Sequence, residues 1–102
     1  MQDTLTNAAR FVAALPHSQA LGMQVETIAE GLAVLTMPYD RRLIGDSETG
    51  VILGGAVSAL MDTAASVAVL SHPAAGGATA TLNLRIDYMR PATPGQGLRA
   101  RA

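Results

Sequence analysis

Residues 50–70 form one run that is almost entirely apolar or small and carries a single charge, Asp62. A run of this length folds either as a helix buried on all sides in a soluble domain or as a membrane span. A carboxylate near the centre of a span costs roughly 2.5–3.5 kcal/mol on insertion scales. The run also contains no aromatic residue, and its neighbouring segments alternate like strands. We therefore expect a buried helix and no membrane association.

The segments that precede the run predict one helix and two strands. Apolar residues at spacings of three and four predict an N-terminal helix that ends at Pro16. Its apolar stripe consists of Leu5, Ala8, Ala9, Val12 and Leu15. Residues 21–28 and 32–37 predict two strands joined by a tight turn at Gly31. The second strand is expected to be buried on both faces, and residues 43–49 to be irregular.

After the run, residues 79–88 alternate strictly between apolar and polar side chains. This pattern predicts a long, half-buried strand whose polar face is explained by solvent exposure. A second alternation begins at residue 98, beyond a turn rich in proline and glycine. Strands grouped around one central helix indicate an α+β fold in a single domain, residues 1–102. A sheet that ended in this hairpin would lack partners, so we expect the C-terminal end to be incomplete.

The composition excludes several classes of function. Aromatic residues make up 3% of the chain and the net charge is −1, which argues against nucleic acid as a partner. The absence of cysteine excludes disulfides and thiolate catalysis and fits the reducing cytoplasm. The two histidines are far apart, so we expect no metal site. The serines do not form a hydrolase triad, and no phosphate-binding glycine loop is present.

A glycine pair, Gly54 and Gly55, stands where the central helix is expected to start. The first backbone N–H groups of a helix have no intrahelical partner and carry a partial positive charge. Without a Cβ atom at these positions, a carbonyl oxygen can approach the amides and be stabilised as an oxyanion. The alternative is that the glycines serve close packing only.

Asp62 follows Gly54 by eight residues, which is about 12 Å along a helix. One carbonyl group cannot contact both positions in the same chain. Two chains related by a two-fold axis can bring Asp62 of one near the glycines of the other, which predicts a dimeric site with Asp62 as general base. The alternative is that Asp62 pairs with a polar group inside the fold.

Residues 50–62 and 81–91 resemble the signature of hotdog-fold acyl-CoA thioesterases of the phenylacetate-degradation (PaaI-like) and 4-hydroxybenzoyl-CoA thioesterase type. The first motif is a glycine, two apolar residues, a further residue, a glycine pair and an aspartate eight positions after the first paired glycine. The second is a long strand that ends in a Tyr-Leu/Met-Arg-Pro step, which residues 88–91 match. The resemblance extends from about residue 5 to the end of the chain.

This resemblance implies a long helix wrapped by a curved antiparallel sheet, with two chains joined into one continuous sheet. It places the polarising amide on Gly54 or Gly55 and the base or nucleophile on Asp62 of the opposite chain. An assisting hydroxyl falls on Thr81. The substrate it implies is an acyl-CoA, with no separate cofactor and no metal.

Two positions depart from the family pattern. Leu53 stands where the family has a histidine before the glycines, and Ser47, with Asp46 beside it, stands where the family has an asparagine. These three residues and Arg90 are the candidate substrate contacts, although Arg90 can equally be an ordinary surface charge. The hypothesis is a cytoplasmic acyl-CoA thioesterase that forms a homodimer or a homotetramer. A catalytically weak acyl-thioester binding module is the alternative, favoured by Leu53 and the expected missing strands.

Overall fold

The computed structural model describes residues 2–102, with side-chain surroundings from residue 6 onward. Leu5, predicted to belong to the first apolar stripe, lies outside the described side chains. The described residues form helices and short antiparallel strands, which confirms the α+β class. In chain order they are α1 (Gln2–Ala14), α2 (Pro16–Leu21), β1 (Gln24–Ala29), β2 (Leu32–Met37), β3 (Ile44–Asp46), β4 (Val51–Ile52), α3 (Gly54–Ser71) and β5 (Leu98–Arg101).

The N-terminal segment forms two helices where the sequence predicted one. α1 ends at Ala14, as predicted, and its residues Ala8 and Val12 are buried. Pro16 then opens α2, because the fixed φ of proline suits the first position of a helix, where no N–H partner is needed. α2 ends at Gly22, whose φ of 74° closes the helix in the left-handed conformation.

A three-stranded antiparallel sheet has the order β1-β2-β5. The central strand β2 has the predicted bounds and, as predicted, buries consecutive residues on both faces: Ala33, Val34 and Leu35. The predicted turn at Gly31 is confirmed by a φ of 71°. Ser71 ties this turn to the end of α3, since its Oγ accepts from the Gly31 N–H at 3.1 Å and donates to the Ala68 carbonyl at 2.8 Å.

α3 packs one face against β2, and the residues of that face are buried. They are Ala56, Leu60, Ala64, Val67, Ala68 and Ser71. The expectation that the helix is covered on all sides is wrong, because three strands cover only one side: Met61 is 39% exposed and Val69 is 53% exposed. By length and hydropathy alone α3 also meets the criteria for a membrane span. Its packing on β2 is that of a core helix.

The prediction of a long strand over residues 79–88 is wrong for this chain. Residues 78–90, which lie beside α3 and which we call the flanking segment, pair with no described strand. Within this segment Leu82 and Met89 are almost fully exposed. An alternating pattern supplies a face to bury, but a strand also needs a neighbour to complete its ladder. The expected hairpin partner, β5, instead pairs with β2. A groove of about 440 Å³ lies between Leu84 and β5.

Candidate active site

The start of α3 presents free backbone donors. Leu53 is the N-cap residue, and its carbonyl accepts the N–H of Ala56 at 3.0 Å. Among the described residues, the N–H groups of Gly54 and Gly55 have no acceptor. A Cβ atom added at Gly54 would contact Tyr88 at 3.7 Å, and one added at Gly55 would contact the Leu53 side chain at 3.8 Å. The predicted helix start is therefore confirmed, with two N–H groups available to an anionic oxygen.

A short hairpin, β3–β4, leads into this helix start where the sequence predicted irregular structure. Gly45 lies so close to Leu53 that an added Cβ would stand 2.9 Å from the Leu53 Cα. The Leu53 N–H also donates to the Leu43 carbonyl at 2.8 Å. These two contacts fix the backbone at Leu53, while its side chain remains 57% exposed beside the glycine pair.

The hairpin turn contains Asp46 and Ser47, both exposed. The Asp46 carboxylate accepts from the Thr49 hydroxyl at 2.9 Å and from the Glu48 N–H at 3.0 Å. Two hydrogen bonds hold the pKa of the Asp46 carboxyl below its ordinary value: the one from the Thr49 hydroxyl has the larger effect and the one from the Glu48 N–H the smaller. The observed partners of Asp46 are thus within its own turn, and a substrate contact by Asp46 or Ser47 stays a prediction.

Asp62 lies in the middle of α3 on the side away from β2, and it is half-buried. Its Oδ1 accepts a hydrogen bond from the Thr81 hydroxyl at 2.6 Å. The structure therefore joins two predicted site residues that are 19 positions apart in sequence. The bond fixes one carboxylate oxygen and leaves the other, Oδ2, without a hydrogen-bond partner among the described residues.

Two separate cavities adjoin the two ends of this site. Asp62 lines a cavity of about 500 Å³ between α1 and α3, whereas Gly54 lines a groove of about 380 Å³ beside the flanking segment. Both positions lie on one straight helix, eight residues or about 12 Å apart. Asp62 and Gly54 therefore face different spaces.

Tyr88 is a site residue to which the sequence analysis assigned no role. Its hydroxyl donates to the Gly54 carbonyl at 2.9 Å, so the flanking segment is attached to the helix start as well as to Asp62. Arg90 also lines the groove at Gly54, and its Nη1 donates to the Thr93 hydroxyl at 3.2 Å. The sequence signal for Tyr88 was its position in the Tyr-Met-Arg-Pro step at residues 88–91.

The wall of the cavity at Asp62 was also missed. Phe11 of α1 lines this cavity together with Leu15, which lies between α1 and α2. Phe11 is the single phenylalanine of the chain and is 47% exposed. Its position outside the predicted stripe of α1 was the available signal. Among the described residues, no three histidine, aspartate or glutamate side chains cluster closely enough to hold a metal ion.

Comparisons with known proteins place these features in context. The thioesterase superfamily model matches residues 49–102. The medium/long-chain acyl-CoA thioesterase YigI of Escherichia coli K12 is 27% identical, over 79% of this chain and 61% of the relative. The chain thus spans less than two thirds of the length of the curated relatives it matches.

Solved structures extend the similarity over most of the chain. A protein from Pseudomonas aeruginosa is 41% identical, with a TM-score of 0.79, covering 94% of this chain and 71% of that one. The E. coli PaaI protein of the phenylacetic acid degradation operon is 27% identical, with a TM-score of 0.82, covering 98% of this chain and 69% of that one.

Proposed function

The chain belongs to the thioesterase superfamily and has its hotdog fold, and from that premise we propose that it hydrolyses an acyl-CoA to a carboxylic acid and free CoA. The predicted family and fold are confirmed, and α3 is the core helix of a soluble domain. The observation that carries the proposal is the hydrogen bond between Asp62 and Thr81, in the same helix that presents the free amides of Gly54 and Gly55.

In the proposed reaction, the thioester carbonyl oxygen binds at the Gly54 and Gly55 amides, where negative charge is stabilised. The oxygen of a water molecule attacks the carbonyl carbon while Asp62 takes a proton from that water molecule. The carbon–sulfur bond of the tetrahedral intermediate then breaks, the carboxylic acid forms, and the CoA sulfur leaves as a thiolate that takes up the proton held by Asp62, which restores the carboxylate. Thr81 orients the carboxylate by donating to its Oδ1. No metal or further cofactor takes part in this scheme.

The proposed active site is shared between two chains. Because about 12 Å of helix separates Asp62 from Gly54, one carbonyl cannot contact both in one chain. A homodimer with antiparallel α3 helices places Asp62 of one chain beside the glycine pair of the other. Pairing of two such dimers into a homotetramer leaves this arrangement unchanged. The proposed location is the cytoplasm, supported by the lack of cysteine.

One observation favours a second candidate function. The side chain of Leu53, at the position of the family histidine, has no polar group that can position water or donate a hydrogen bond to the substrate. A chain that retained the amides and the pocket without efficient water activation would bind acyl thioesters and hydrolyse them slowly. The second candidate is therefore an acyl-thioester binding module.

The deciding experiment measures CoA release from alkyl- and aryl-acyl-CoAs by wild type and by Asp62→Asn. We expect kcat to fall about 10²–10⁴-fold in the variant, because a general base contributes that much. Asp87→Asn is the control, since Asp87 is an exposed carboxylate of the flanking segment that forms an ion pair with Arg85 at 3.6 Å. Tight acyl-CoA binding without turnover by wild type would support the binding module, and equal turnover by wild type and Asp62→Asn would contradict the aspartate mechanism.

The same variant tests the shared site. Mixed with Gly55→Val, which blocks the amide end with a side chain, Asp62→Asn should recover activity as mixed dimers form. One of the two sites in each mixed dimer then contains both intact halves. No recovery on mixing, with mixed dimers demonstrated, would contradict a site built from two chains.

A further inference from the structure

The cavity beside Asp62 has an uneven distribution of polar groups. It encloses about 500 Å³, within the size range of small-molecule pockets. Its apolar wall comes from Ala8 and Phe11 of α1, from Leu15 between α1 and α2, and from Leu70 of α3. The Asp62 carboxylate is the one charged group among its described lining residues. The other lining residues of the cavity are the uncharged Asn7, Thr63, Ser66, Ala78 and Thr79, so a large apolar wall faces a smaller polar part that contains the Asp62 carboxylate.

A thioester that reacts beside Asp62 has two parts to place, the acyl group and the CoA group. CoA carries phosphates, which are bound by arginine, lysine or arrays of N–H donors. None of the described residues that line this cavity is a lysine or an arginine, whereas Arg90 lines the groove at Gly54. In the proposed shared site, the charge distribution thus assigns the cavity of one chain to the acyl group and the Gly54 groove of the other chain to the CoA side.

We propose that the cavity between α1 and α3 binds an uncharged, apolar acyl group and that Phe11 limits how long this group can be. This inference rests on the proposed function for its substrate. Phe11 has the largest side chain in the apolar wall and lies between Ala8, three residues earlier on α1, and Leu15, which follows the end of that helix. A shorter side chain at position 11 lengthens the space available to the acyl chain without touching Asp62.

The same lining excludes acyl groups that end in a carboxylate. Such a group would enter a largely apolar space in which the described lining residues include no cation and in which Asp62 is a like charge. Butanoyl-CoA and succinyl-CoA have the same number of acyl carbons and differ in this charge. We expect kcat/KM to be at least about tenfold higher for butanoyl-CoA.

The decisive test compares dodecanoyl-CoA with octanoyl-CoA in Phe11→Ala and Phe11→Leu. Burial of one methylene is worth roughly fourfold in binding, so four newly accommodated methylenes should raise the dodecanoyl-to-octanoyl ratio of kcat/KM at least about tenfold in Phe11→Ala. Phe11→Leu should lie between wild type and Phe11→Ala. Val69→Ala is the matched control, since Val69 is a half-exposed apolar residue of α3 that does not line this cavity.

Equilibrium binding separates failure of this inference from failure of the proposed function. Dissociation constants of octanoyl-CoA and dodecanoyl-CoA are measured by calorimetry with each Phe11 variant in an Asp62→Asn background, where hydrolysis is not required. A ratio that shifts with Phe11 while wild type hydrolyses nothing would support the acyl pocket and reject the thioesterase. Normal hydrolysis with the same ratio in Phe11→Ala, Val69→Ala and wild type would overturn the role of Phe11. Equal turnover of succinyl-CoA and butanoyl-CoA would overturn the assignment of an uncharged acyl group.

Discussion

The two sides of α3 differ in what covers them and in what they carry. The side against β2 contains small and branched apolar residues such as Leu60 and Val67, both at most 2% exposed. The opposite side carries Asp62 and borders α1 and the flanking segment across a cavity. Helical periodicity separates the two sides completely, so one apolar run contains a stability face and a chemical face. Substitutions on the two faces should therefore have different consequences.

The largest effect on stability is expected at Leu60. Leu60→Ala removes a side chain that is 2% exposed and leaves a cavity against the sheet, which should cost about 2–5 kcal/mol of unfolding free energy. Val69, seven residues after Asp62 on the same side of the helix and 53% exposed, provides the control: Val69→Ala should cost no more than about 1 kcal/mol. Urea denaturation of both variants gives the two values. Similar losses in the two would show that the faces are not energetically distinct.

A smaller effect, on activity rather than stability, is expected at Tyr88. The Gly54 carbonyl and the Gly55 N–H belong to one planar peptide unit, so the Tyr88 hydroxyl that binds the carbonyl also fixes and polarises the N–H. Tyr88→Phe should lower kcat about threefold to tenfold and leave KM nearly unchanged, which makes Tyr88 a positioning residue. Steady-state kinetics with saturating acyl-CoA measure this split.

Tyr39 supplies the matched control for Tyr88. Its hydroxyl also donates to a glycine carbonyl, that of Gly50, at 2.6 Å, but this carbonyl precedes the hairpin strand β4 and not the helix amides. Tyr39→Phe should lower the melting temperature slightly and leave kcat of the folded protein unchanged. A kcat loss shared by both variants would show that the hydroxyl of Tyr88 acts only on general stability.

Local sequence signals were sufficient for the stability face. The bounds of β2 and the start of α3 at Gly54 were predicted correctly, because a short apolar strand, a glycine turn and a glycine pair are properties of neighbouring residues. The family and the hotdog fold were predictable from the order and spacing of two motifs. The pattern of buried residues in α3 follows from the 3.6-residue periodicity of a helix once β2 covers one side of it.

The chemical face depended on long-range contacts that a pattern does not contain. Residues 79–88 alternate as a strand does, but ladder formation depends on a neighbour, and β5 pairs with β2. The Tyr88–Gly54 bond joins residues 34 positions apart, and the cavity at Asp62 needs α1 to pack across α3. The four-residue step that contains Tyr88 and the position of Phe11 outside the apolar stripe identify these residues but not the residues they contact.

The smallest effect is expected in the hairpin turn that leads to the chemical face, and it concerns pH. The Thr49 hydroxyl and the Glu48 N–H hold the pKa of the Asp46 carboxyl below its ordinary value of 3.8. Because the folded pKa is depressed, the turn is stabilised above the unfolded pKa and loses that stabilisation as pH falls through the folded pKa. Thr49→Val removes the largest cause and should move the Asp46 carboxyl titration, followed by NMR, upward toward 3.8. Thr27→Val, at an exposed threonine of β1, is the control, and an unchanged Asp46 midpoint in Thr49→Val would show that the hydroxyl does not hold the turn.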